Sequence, residues 1–229
     1  MKMYLSFFVF IACIPFLALG QSIDDFQYTE ENGRITIAGY DGDEKNVVIP
    51  SVIDGMPVAS IGVRAFFNKQ LTNITLPDSI VTIQNNAFRQ NFLTNVVFPN
   101  SITELGWASF RNNRLTSVTL PNGLSKIDSE TFRNNQITSI AIPSGVTIID
   151  TSAFLQNNLS SVVLPTVLTR IGNNAFGDNQ LSSITLPNSL TAIGENAFRR
   201  NRLTNVVVPN SVRRLHEAAF DPSVLITRE

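Results

Sequence analysis

Residues 115–136 read LTSVTLPNGLSKIDSETFRNNQ, and this 22-residue unit recurs seven times and part of an eighth along the 229-residue chain. Phe66, Phe88, Phe110, Phe132, Phe154, Phe176, Phe198 and Phe220 fix the register, and Pro77 through Pro209 keep the same step. A period of this size marks a solenoid, in which each unit forms one coil and buries its apolar side only against its neighbours. After Phe110, for example, apolar residues return at Leu115, Val118, Leu120, Leu124 and Ile127. Burying about seven such side chains gains roughly 1.5–3 kcal/mol each. Ordering the backbone costs roughly 1–2 kcal/mol per residue, so one coil alone cannot hold and a stack can. The expected fold is a β-rich solenoid of about eight 22-residue turns with short parallel strands and a Phe column.

Within a coil, residues 116–120 (TSVTL) alternate in and out and stop at a Pro, which donates nothing to a ladder; this predicts a short strand. The outward positions on that face include Ser117 and Thr119, in a row of small uncharged residues. After the Pro, a Ser/Thr-rich step leads to Ile and then to a compact turn or single helical turn carrying Ala-Phe. Three places past the Phe, Asn91, Asn113, Asn135, Asn157, Asn179 and Asn201 predict a structural row that bonds the backbone and tolerates left-handed geometry.

Upstream, residues 21–50 alternate around Asn32-Gly33, a preferred hairpin pair, and predict an N-terminal β cap with an acidic outer face. Residues 51–229 are the solenoid. Its first coil carries five extra residues near Asp54-Gly55, which predict a turn joining cap to coil. Residues 1–20 combine one Lys, an apolar run and a small-residue end, the pattern of a signal peptide cut before Gln21. A retained anchor, or a lipid on Cys13, is the rival reading of that run. Cleavage leaves a chain without cysteine and without a transmembrane segment.

These residues are similar to a known pattern. The unit in residues 181–202, LSSITLPNSLTAIGENAFRRNR, resembles the BspA-like, treponemal-type class of bacterial leucine-rich repeats. Residues 35–40 (ITIAGY) and 47–66 resemble that family's cap and first coil. Here Asn stands where many members carry Cys after Ala-Phe, and the unit is one residue shorter than usual. The resemblance implies a secreted or surface-exposed bacterial protein, and some relatives act as adhesins. It brings no binding residues to carry over.

The net charge of -1 offers no general attraction for nucleic acid. No catalytic motif, phosphate loop, metal-ligand pattern or cofactor signature stands out, and His216 is the only histidine. The sequence therefore points to a non-enzymatic scaffold that recognises protein or glycan, with a self-associating structural protein as the alternative. Arg89, Arg111 and Arg133 follow their Phe in adjacent coils, with Arg114 close by. Such like charges repel unless an acidic partner spaces them, so this edge is the preferred contact site, with the strand face of Ser117 and Thr119 as the other and a solvated turn as the plainer reading. Phe92 and Trp107 take positions that are polar in most coils, and read either as exposed anchors or as a local apolar cover.

Overall fold

The computed structural model describes residues 21–229 and shows a β-solenoid of about nine turns with almost no helix. The signal-peptide reading of residues 1–20 lies outside the described residues. A single 3-10 turn, Ile23–Asp25, leads into an antiparallel hairpin of β1 (Phe26–Glu31) and β2 (Arg34–Tyr40). Asn32 and Gly33 both take positive φ, 53° and 72°, which matches the right-handed twist of the strands they join. β2 then pairs in parallel with Met56–Ile61 and so starts the coil stack. The extra residues of the first coil form a second tight hairpin, Val52–Ile53 against Met56–Ile61, turning at Asp54 and Gly55. Tyr28 Oη donates to Asp54 Oδ2 at 2.7 Å, so this hairpin ties the cap to the coil.

Each coil has three sides. The segment before the Pro runs extended, but its ladder is broken: Asn46–Val48 pairs with Asn73–Thr75, Ser139–Ala141 with Ser161–Val163, and one bridge joins Val97 to Thr119. The more regular ladder lies on the following side, where the sequence pattern predicts only a Ser/Thr-rich step to Ile. There Lys126–Ile127, Ile148–Ile149, Arg170–Ile171, Ala192–Ile193 and Arg214–Leu215 pair in parallel, in register at every step. The physical difference is the proline: the first side ends on a residue with no N–H to give, and the second has none.

The third side carries Ala-Phe, and it is a turn rather than a helix. From Phe66 to Phe198, the residues two before and two after each Phe of the row, such as Asn86 (57°) and Gln90 (60°), sit at positive φ and break any helical run. The row of Asn at the third place past Phe is not left-handed; the strain falls one residue earlier. N–H groups of Asn86, Phe88 and Gln90 donate to the carbonyls of Trp107, Ser109 and Arg111 in the next coil, at 2.8–3.0 Å, so the turns are stitched together as a ladder would be.

The Asn row supplies the remaining bonds. Asn135 Nδ2 donates to the carbonyls of Phe132 and of Phe110, and its Oδ1 accepts from Leu115 N–H. The same three partners recur at Asn91, Asn113 and Asn201. Each side chain thus closes its own turn and fastens it to the coil before.

Inside, the eight Phe rings form one column. From Phe66 to Phe220 consecutive centroids lie 5.1–5.9 Å apart with interplanar angles of 3–19°. Rings at that distance stack with an offset, the arrangement favoured by their quadrupoles. Tyr40 and Phe26 close the column at the cap, with Tyr40 5.5 Å from Phe66. At the other end Leu225–Arg228 pairs in parallel with Asn205–Val208, and its four residues are all exposed.

Candidate functional site

The turn side presents Arg89, Arg111 and Arg133 in three successive coils, half-buried, because each directly follows a Phe locked in the column. Two of the three are ion-paired within the chain. Glu130 lies between two of them: Arg111 Nη1 pairs with Oε2, and Arg133 Nη1 with Oε1 at 2.8 Å. The acidic spacer expected from a partner is supplied in part by the chain itself. It was legible as the one acid among Asn86, Ala108, Glu130 and Ser152 at the turn position two before Phe, three residues ahead of Arg133.

Arg89 has a different neighbourhood. Its Nη1 donates to Asn86 Oδ1 at 3.1 Å, and its guanidinium lies 5.9 Å from the centre of the Phe67 ring. Arg64 flanks the same ring at 5.8 Å, since Phe67 takes the place in the first coil that Arg holds in the next three. Burial, and then the Arg111 charge beside it, push the Arg89 pKa down, although Glu130 acts against that. Nε of both Arg89 and Arg111 is buried and finds no acceptor within the described residues. Four arginines on four consecutive coils therefore share one paired carboxylate, Glu130, and the edge keeps a positive excess.

Phe92 and Arg114 come together, with the Arg114 guanidinium 4.3 Å from the ring centre and the ring still 40% exposed. That geometry is a cation–π contact. Trp107 stands apart on the other flank of the turn, 39% exposed, with its backbone N–H held by Asn85 Oδ1 at 2.9 Å. No ring pairing joins Phe92 to Trp107 among the described residues. Ser117 and Thr119 point outward on the broken-ladder side, either side of buried Val118, and Val97 beside them is 76% exposed. That face is flat and carries no charge at these positions.

His216 is exposed, and its Nδ1 accepts from Ala218 N–H at 3.2 Å. Among the described residues no His, Cys, Asp and Glu cluster could hold a metal ion, and no helix is long and apolar enough to cross a membrane.

A stack of short parallel strands with a Phe in every coil and an Asn in the six between the end coils defines a leucine-rich repeat scaffold. Residues 45–159 and 147–227 match the family described as BspA type leucine-rich repeat region, in six copies. The chain belongs to that family. Among solved structures it is similar to a leucine-rich repeat protein from Bacteroides ovatus, at 24% identity and a TM-score of 0.68 over 91% of this chain and 67% of that one. A leucine-rich cell surface protein from Faecalibacterium prausnitzii matches at 23% identity and 0.71, over 94% and 71%. The Treponema pallidum leucine-rich repeat protein matches at 28% identity and 0.58, over 69% and 87%. No functionally curated protein matches the sequence.

Proposed function

We propose that the chain is a non-enzymatic, secreted or cell-surface recognition scaffold whose arginine edge binds a polyacidic protein segment or glycan. The observation that carries this reading is the charge imbalance on the turn side: Arg64, Arg89, Arg111 and Arg133 against Glu130. Successive coils repeat at about 4.8 Å, so a ligand with regularly spaced anionic groups meets one cation per coil. Phe92 beneath Arg114 adds an aromatic surface next to the row. The description of the Faecalibacterium relative as a cell surface protein supports the location, as does the apolar run in residues 1–20.

The test is retention on a polyanionic resin such as immobilised heparin, followed through a salt gradient. Replacing Arg89, Arg111 and Arg133 together by Gln should shift elution to lower salt and weaken binding about tenfold, since exposed charge contacts are each worth up to about 1 kcal/mol. Unchanged retention would reject the edge.

A second reading, self-association, has one observation in its favour. The exposed strand Leu225–Arg228 presents Leu225 at 65% and Ile226 at 41% exposure on an edge with no further strand among the described residues. Light scattering that shows a monomer at high concentration would exclude it.

A further inference from the structure

The regular ladder carries a second candidate site, on the C-terminal coils and made of residues other than the arginine edge. Its outward positions run Lys126, Ile148, Arg170, Ala192 and Arg214, one per coil. The position just after the ladder Ile reads Asp128, Asp150, Gly172, Gly194 and then His216. In the earlier coils that position neutralises the ladder cations: Lys126 Nζ meets Asp128 Oδ2 at 3.0 Å, and Arg170 Nη2 meets Asp150 Oδ1 at 3.0 Å. The Arg170 pair reaches back 20 positions, into the preceding coil. The same step from Arg214 lands on Gly194, which has no side chain. Arg214 has no carboxylate partner within ion-pair distance among the described residues.

Gly172, Ala192 and Gly194 together put nothing larger than a methyl at three adjoining sites and leave a cleft of about 540 Å³ between Arg170 and Arg214. This lies inside the roughly 300–1,000 Å³ range of small-molecule sites. The glycines are required by the backbone: a Cβ at Gly172 would stand 2.7 Å from Thr151 N, and one at Gly194 would stand 2.6 Å from Asn173 N. The chain therefore cannot fill the Arg214 partner position with its own carboxylate.

We propose that this cleft binds an acidic saccharide, a sugar unit with one carboxylate, whose carboxylate takes the place over Gly194 and pairs with Arg214 as Asp150 pairs with Arg170. One charge is the right number, because Arg170 is already neutralised and Arg214 is the cation left over. A planar guanidinium recognises a carboxylate through paired N–H donors. The walls suit hydroxyls. Asn173 Oδ1 is spent on Glu195 N–H at 3.0 Å, which leaves its Nδ2 to donate. His216 accepts through Nδ1 from Ala218 N–H, which leaves its Nε2 N–H to donate. Glu195 accepts from ligand hydroxyls and repels a second ligand carboxylate, so a polyacidic peptide is disfavoured here.

Calorimetric titration of the folded chain with galacturonate, neutral galactose and a triglutamate peptide tests the assignment. Binding of galacturonate alone is expected. Arg214→Gln should weaken it at least tenfold. Ala192→Ile places in the cleft the residue the ladder already holds at Ile148 and should abolish it with the charge intact. The Arg89, Arg111 and Arg133 triple variant should bind as the parent does. Absence of galacturonate binding, equal affinity for either control ligand, or unchanged affinity in Arg214→Gln and Ala192→Ile would each overturn the proposal.

Discussion

Asn135 spends its whole amide on backbone: two carbonyls below its nitrogen and one N–H on its oxygen, all buried. Truncating it to Ala leaves three buried groups unpaired, and each such group costs about 1–3 kcal/mol. Asn135→Ala is therefore expected to lower stability by about 3 kcal/mol or more in urea unfolding, whereas replacing exposed Asn134 next to it should cost far less. Phe132, sandwiched between Phe110 and Phe154 at 5.9 and 5.5 Å, should cost about 3–5 kcal/mol as Phe132→Ala in the same assay. Both roles were legible because the residues recur at a fixed place. A residue required in every coil answers to the coil. The left-handed positions were only half legible: two after Phe they hold mostly amides, such as Gln90, Asn112, Asn134 and Gln156, but two before it Asn86, Ala108, Glu130 and Ser152 share no chemistry. Only the backbone unites them.

Among the elements, the hairpin cap followed from Asn32-Gly33 and an alternating pattern, and β1 and β2 form it. The ladders are less completely legible in the sequence. The alternation in residues 116–120 is the louder signal, yet the two-residue pairs such as Ile148–Ile149 and Arg170–Ile171 make the more regular sheet. Strands that short have no period to detect. Close packing of this side makes Gly172→Ala a sharp probe, since its Cβ would lie 2.7 Å from Asp150 C and Thr151 N; overpacking of that kind typically costs about 1–3 kcal/mol. A thermal melt reads the loss directly. On the turn side the arginine row was visible but its partial neutralisation was not, because Glu130 reaches Arg111 across a coil, 19 positions back. Glu130→Gln removes the shared carboxylate from Arg111 and Arg133 and should tighten retention on a polyanion, the opposite of the triple arginine variant. Weaker retention would mean that Glu130 positions the row rather than competing for it.

For the whole molecule, the column of rings and the row of Asn make each coil a copy that fits on any other. Stability then grows with the number of stacked neighbours, and the outer surface is left to vary coil by coil. That is how one scaffold holds an arginine row on its first coils and a glycine-floored cleft on its later ones. The unbroken 22-residue step makes a clean excision possible. Removing residues 137–158 joins Gln136 to Leu159 and brings Phe132 onto Phe176 in register. Equilibrium urea unfolding of that shortened chain should show one cooperative transition, with a denaturant slope reduced by roughly a tenth because one coil in about nine no longer exposes its surface. A shortened chain that shows no cooperative transition would contradict the stack of interchangeable coils.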